Sequence, residues 1–211
     1  MYYPQFYHKS DKVCSLFSPC GHVTKHFNCQ DGRPVYIEQP GTSEQLAKLY
    51  EGRDREVLND NLIKRLIFEY EKFIDDRLPC CSKAAGHPVE TSCTILDLRN
   101  LYISSYSTVY GYLTRATDIG QNRYPETMGK FYIINAPRFF PTVWSAIKLF
   151  LDEVTVSKIA ILGSDYQAKL LEQIPAENLP KEFGGTCECQ GVGGCKLSDA
   201  GPWNLPETQE K

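Results

Sequence analysis

Lys130-Phe131-Tyr132-Ile133-Ile134-Asn135-Ala136-Pro137, then Arg138 to Glu153 at helical spacing, then Lys158-Ile159-Ala160-Ile161-Leu162-Gly163: this stretch decides the fold class. Its ends are short apolar runs rich in β-branched and aromatic residues, and its middle is long enough for a helix. Two strands joined by a helix of that length pair in parallel through a right-handed crossover. Upstream the alternation continues. Thr91 to Leu98 is β-prone, and Leu101 to Ile119 can be helical. From Glu56 to Arg77, Leu58, Leu62, Leu66, Tyr70 and Phe73 recur with Ile63, Ile67 and Ile74 beside them, which predicts a long amphipathic helix ended by Pro79. Thr42-x-x-Gln45 is a capping box opening a short helix to Tyr50. Downstream, Tyr166 to Gln173 reads as a helix with Ser164 as its N-cap, and the chain is irregular from about Gly184. The class is α/β.

The 211 residues are 42% hydrophobic and 23% charged, the profile of a folded domain with a core or an internal cavity. With 23 basic against 26 acidic residues and no long run of either sign, no nucleic-acid partner is expected. No apolar run approaches the ~20 residues of a membrane span, and the start lacks an apolar export signal, so a soluble, cytoplasmic protein is expected.

Nine cysteines without an export signal read as thiols rather than a disulfide framework. Cys14, Cys20 and Cys29 lie near His22 and His26, enough soft ligands for a zinc shell, but without the paired knuckle of common structural sites. Cys187-Glu188-Cys189 through Cys195 reads as a flexible thiol-bearing loop, and Cys80, Cys81 and Cys93 as small core hydrophobes. No metal or cofactor is expected. Phosphate-loop, dinucleotide, zinc-protease and nucleophile-elbow motifs are all absent, and His8 and His87 stand isolated, which shifts the weight from enzyme to binder.

Tyr124-Pro125-Glu126-Thr127-Met128-Gly129 leading into the 130–137 run resembles the CRAL-TRIO lipid-binding family, and most of all its fungal-type secretory-pathway phosphatidylinositol/phosphatidylcholine transfer proteins. The likeness continues through Phe150 to Ile159, Gln173 to Pro180, Phe183-Gly184-Gly185 and Leu197 to Trp203. Upstream it takes in Arg77-Leu78-Pro79, Ala84 to His87 and Glu90 to Thr94, so it covers nearly all of residues 1–205 except Val13 to Gln30, leaving 206–211 as a polar tail. It implies a mixed, largely parallel sheet floor with helices enclosing an apolar pocket that holds one phospholipid.

By that resemblance, Tyr7, Tyr36, Tyr70, Ser92 and Thr94 match phosphatidylcholine-contacting positions, where hydroxyls can bond a phosphate and aromatic faces attract a quaternary ammonium. Glu126, Thr155 and Lys158 match the phosphatidylinositol region, although Thr127 replaces the family's arginine. Phe140, Val143, Trp144, Ile147 and Leu151, with Val154, form an apolar stripe matching the family's mobile gate helix. The implied function is non-enzymatic exchange of phosphatidylinositol and phosphatidylcholine between membranes. The protein would be peripheral at the Golgi and would supply lipid kinases in secretory traffic. A carrier of another lipophile, such as a sterol or isoprenoid, and an interaction module that binds no lipid are the alternatives.

Two departures stand out. The family carries an N-terminal helical region ahead of the Tyr2-Tyr3-Pro4-Gln5 block, and its absence here would leave apolar surface uncovered. Val13 to Gln30 interrupts what otherwise reads as a hairpin across Asp31-Gly32. We read it as an unremoved intron, because Val13-Cys14 can be encoded by GTATGT and Gln30 by CAG. Sequencing the transcript decides this: a messenger carrying those codons in most copies would refute it.

Overall fold

The computed structural model describes Cys29 and residues 31–39, 43–190, 194–195, 198 and 201–205. Four strands, β1 (Val35–Glu38), β2 (Ser92–Asp97), β3 (Met128–Ile134) and β4 (Ile159–Ile161), form one sheet in the order β1-β2-β3-β4. Every pairing among them is parallel, with Tyr36 opposite Thr94, Thr94 opposite Phe131 and Phe131 opposite Ile159. Parallel strands need long crossovers. These are α1 (Ser43–Tyr50), α2 (Arg55–Lys72) and α3 (Leu78–Ala85) between β1 and β2, and α4 (Ile103–Arg123) between β2 and β3. Between β3 and β4 come α5 (Phe140–Ile147) and α6 (Glu153–Lys158), and α7 (Tyr166–Leu171) follows the sheet. The α/β class read from the sequence stands. The first arm of the expected hairpin, the capping residue Thr42 and all of the 13–30 insert except Cys29 lie outside the described residues.

Because strand side chains alternate, the sheet has two unlike faces. Val35, Ile37, Cys93, Ile95, Tyr132 and Ile134 point to one, where Tyr166 and Leu170 of α7 and the following Ile174, Leu179 and Phe183 bury them almost completely. At about 2 kcal/mol per fully buried large apolar side chain, this face is a solid core. Cys29 belongs to it, its thiol hydrogen-bonding Cys93, so both are core residues. The other face carries Tyr36, Glu38, Ser92, Thr94 and Phe131, and any hollow must lie there.

Four readings need correction. The long helix is not ended by Pro79: Asp54 caps α2, its Oδ1 accepting the amides of Glu56 and Val57 at 2.9 and 3.0 Å. After Lys72 one wide π turn, Phe73–Arg77, leads straight into α3. Pro79 falls in the first turn of α3, where no amide is needed, and Gly86 at φ 72° ends the helix. The helix expected over Arg138 to Glu153 breaks after Ile147 into a 3₁₀ turn, Lys148–Phe150. Leu151 is extended, and Asp152 starts α6 by accepting the Thr155 amide at 2.8 Å, so Leu151 falls off the gate-helix stripe. Lys158 is the last residue of α6 rather than the first of a strand, and the residue before α7 is Asp165, whose side chain makes no capping bond. No described helix is long and apolar enough to cross a membrane.

Candidate functional site

The sheet's second face is roofed by α2 and α4, and a concavity remains between them. Tyr36, Glu38, Ser92, Thr94 and Phe131 form its floor; Leu62, Leu66, Tyr70 and Phe73 close one side, and Tyr112 of α4, Thr127 and Met128 contribute from the other elements. The cavity volume is about 150 Å³. That volume lies below the range of about 300–1,000 Å³ for small-molecule sites, so the cavity holds part of a lipid and must widen to take the rest. Among the described residues the hollow is open to the outside rather than closed around a whole two-chain lipid.

Four of the five residues matched to phosphatidylcholine line this concavity: Tyr36, Tyr70, Ser92 and Thr94. Tyr7 lies outside the described residues. Period-two alternation explains three of them, since Tyr36 faces Thr94 across β1 and β2 and Ser92 precedes Thr94 by two. The Ser92 and Thr94 hydroxyls are 3.4 Å apart, and the Ser92 amide donates to the Thr127 carbonyl at 2.9 Å, fixing the pair at the mouth of β3. Tyr70 arrives from α2 and stacks on Tyr124 at 4.4 Å and 7°. Gly120 leaves room for its hydroxyl, because a Cβ there would sit 3.2 Å from that oxygen.

The concavity also holds charge that the sequence reading did not assign. Arg65 and Arg77 both line it, at 3.2 and 3.8 Å from the two carboxylate oxygens of Glu69. Arg77 is only 5% exposed and lies 5.2 Å from the Trp203 ring, so a cation is held under an aromatic face at one end of the pocket. The i,i+4 spacing of Arg65 and Glu69 is a signal that could have found part of this group. Burial pushes the Glu38 carboxyl up to about 7 and also raises Tyr36, Tyr70 and Tyr112, the Glu38 charge adding to each of the three. Glu38 is half-buried at the end of β1 and lines the concavity, so water in the concavity reaches it.

The residues matched to phosphatidylinositol gather separately. Lys158 Nζ lies 3.4 Å from Glu126 Oε2, and Thr155 stands one helical turn before Lys158 on α6. The Thr155 hydroxyl is already engaged, donating to Asp152 Oδ2 at 2.7 Å, and these hydrogen bonds hold Asp152 below the usual carboxylate range. Glu126 adjoins Thr127 of the pocket wall, so the two groups share one backbone segment.

The α5 helix lies on the same sheet face as the pocket. Phe140 and Val143 are buried, and Trp144 and Ile147 half-buried, against Leu98, Ile133, Phe131 and Ile159. Phe131 is thus shared between the helix's seat and the pocket floor. Just past α5 the chain turns apolar side chains outward: Leu149, Phe150 and Val154 are 79%, 56% and 59% exposed.

The family model described as CRAL/TRIO domain matches residues 3–185. A protein named SEC14 cytosolic factor from Kluyveromyces lactis is 52% identical over 207 residues, which is 98% of this chain and 61% of that protein. The Sec14 cytosolic factor of Schizosaccharomyces pombe is 49% identical over 210 residues, 100% of this chain and 65% of its own length. An Arabidopsis thaliana protein named phosphatidylinositol/phosphatidylcholine transfer protein SFH4 is 39% identical over 207 residues, 98% of this chain and 30% of its length. The chain therefore spans less than two thirds of each of these relatives. Among solved structures, the crystal structure of Sfh5 superimposes with a TM-score of 0.58 at 18% identity, covering 97% of this chain and 69% of that one, a likeness of fold. Since the family match takes in most of the chain and relatives at about half identity align along nearly all of it, the protein belongs to the CRAL/TRIO domain family.

Proposed function

We propose that this chain binds phosphatidylinositol and phosphatidylcholine and exchanges them between membranes, acting as a carrier without catalysing a reaction. The observation that carries this reading is the convergence of Tyr36, Tyr70, Ser92 and Thr94 on one apolar-walled concavity beside the Glu126–Lys158 pair. Hydroxyls and aromatic faces suit a phosphocholine, and a lysine beside the pocket wall suits an inositol phosphate. A carrier needs such a hollow because bare water costs about 0.8 kcal/mol per exposed methylene. Leu149, Phe150 and Val154 are the apolar side chains that would dip into a bilayer, next to the helix that would have to move off the sheet for lipid to enter. The names of the transfer-protein relatives point the same way. Peripheral residence at Golgi membranes and delivery of phosphatidylinositol to lipid kinases are the cellular setting of this proposal.

Vesicle-to-vesicle transfer of each labelled lipid tests it. Ser92→Ala with Thr94→Ala removes two donors to a charged phosphate, at about 1.5–3 kcal/mol each. It is expected to lower phosphatidylcholine transfer at least tenfold while leaving phosphatidylinositol transfer within twofold. Lys158→Ala is expected to do the reverse. Equal loss of both activities in either variant would refute the headgroup assignment. No transfer of either lipid by the unaltered chain would refute the function.

A further inference from the structure

Where a flexible thiol-bearing loop is expected over Cys187 to Cys195, the structure gathers the three thiols. Cys187 Sγ lies 3.4 Å from Cys189 Sγ and 3.7 Å from Cys195 Sγ, and all three sulfurs are within 4.8 Å of one another. The backbone is built to bring them there. Cys187 pairs with Pro180 as an isolated β-bridge, its amide donating to the Leu179 carbonyl at 3.1 Å and its carbonyl accepting from Lys181 at 3.0 Å. Cys189 then takes a left-handed φ of 46°, unusual for a residue with a side chain, and Gly194 another of 105°. The Gly194 amide donates to the Cys189 carbonyl at 3.2 Å, closing the loop so that Cys195 faces Cys187. No pair among the described cysteines is a disulfide. These separations are far beyond an S–S bond of about 2.05 Å.

They do fit a shared ion. Tetrahedral zinc with thiolates at about 2.3 Å places neighbouring sulfurs about 3.8 Å apart, close to what the three thiols already show. We infer that Cys187, Cys189 and Cys195 form a three-thiolate site for a soft d¹⁰ cation, with zinc(II) as its probe. Binding breaks three S–H bonds, forms three Zn–S bonds and releases three protons to solvent, with no change of oxidation state. The fourth position is left to solvent. The site staples two segments. One is Leu179–Phe183, which covers the solid sheet face; the other begins at Ser198, whose amide donates to the Cys195 carbonyl at 3.2 Å, and leads to Trp203 over Arg77. This inference does not depend on which lipid the chain carries.

The test uses the full chain, reduced and stripped of metal, titrated with zinc against a chromophoric chelator, followed by alkylation mapped cysteine by cysteine. One equivalent of zinc is expected, with Cys187, Cys189 and Cys195 protected from alkylation at least tenfold relative to the metal-free chain. Cys189→Ser and Cys195→Ser are each expected to weaken zinc binding at least tenfold, and Cys14→Ser with Cys20→Ser to leave it unchanged. Absence of competitive binding, or protection falling on Cys14 and Cys20 instead, would overturn the assignment. The mapping on the unaltered chain decides even if a serine variant fails to fold.

Discussion

Gly185→Ala is expected to cost more than about 4 kcal/mol, because the added methyl meets backbone that cannot move. A Cβ built at this position lies 1.9 Å from the Leu179 carbonyl oxygen, 2.5 Å from its carbon and 2.6 Å from the Ala176 oxygen. Both oxygens are in use: Leu179 accepts from Cys187 at 3.1 Å and Ala176 from Thr186 at 2.7 Å. Leu179 is itself fully buried beside Ile174 and Phe183 in the core under the sheet. Relief therefore requires breaking hydrogen bonds or lifting Leu179 out of that core. For a domain of this size the loss lowers Tm by roughly 10 °C or more, which thermal melting followed by circular dichroism will show. Gly52→Ala is the control. Gly52 has φ 64° with nothing near its would-be Cβ, so alanine there bears only the left-handed penalty of about 1–2 kcal/mol. Equal melting of the two variants would show that the close approach at Gly185 does not constrain the fold.

How much of this was legible in the sequence depends on the range of the interaction. The strands and their crossovers follow from short-range periodicity, and β2 and β3 fall within a residue or two of the apolar runs that announced them. Alternation along β2 sets Ser92 and Thr94 on one face and the β1–β2 register adds Tyr36 to it, although all three were singled out by the family likeness and not by their spacing. Pro79, and Asp152 inside the helix expected over Arg138 to Glu153, were misread because each residue type has two local meanings. A proline can stop a helix or occupy its first turn, and an aspartate can line a polar face or cap a new helix. Only the wide turn at Phe73–Arg77 and the extended Leu151 decide between them. Arg77 over Trp203 joins residues far apart in the chain, which no window of sequence reports. The three thiols were read as a flexible loop for a related reason: Cys-x-Cys-x5-Cys matches no common knuckle, and left-handed turns at Cys189 and Gly194 are what converge it.

The two faces of the sheet also explain why a pocket exists at all. One register of each strand supplies Val35, Ile37, Cys93, Ile95, Tyr132 and Ile134 to a dense core, while the other supplies hydroxyls, a carboxyl and Phe131 to the concavity. Stability and binding are thereby separated by a single residue step along each strand. Polar substitutions on the pocket face are accordingly read out as changes in ligand and protonation rather than as loss of the core.

Glu38→Gln illustrates this, and it is expected to stabilise the protein at alkaline pH. Burial lifts this carboxyl from 4.5 to about 7. Its native pKa is thus above its unfolded one, so between those values the folded chain holds a proton that the unfolded chain has released. Stability falls as pH rises through that window. The penalty is absent well below pH 4.5 and complete above about 7, and a shift of 2.5 units (7 − 4.5) corresponds to roughly 3 kcal/mol. Glutamine is neutral throughout and escapes it. Urea unfolding is therefore expected to show Glu38→Gln less than about 1 kcal/mol more stable than the unaltered chain at pH 5 and roughly 3 kcal/mol more stable at pH 8. If the variant matches or falls below the unaltered chain at pH 8, Glu38 is not a buried carboxyl of raised pKa. The same reasoning extends to the occupied pocket. A lipid entering the concavity displaces the water that reaches Glu38 and makes its charge costlier still, so loading near pH 7 should draw protons from the buffer. Calorimetric titration in buffers of different ionisation enthalpy will reveal that uptake, and Glu38→Gln should abolish it, because the carboxyl that would take up the proton is gone.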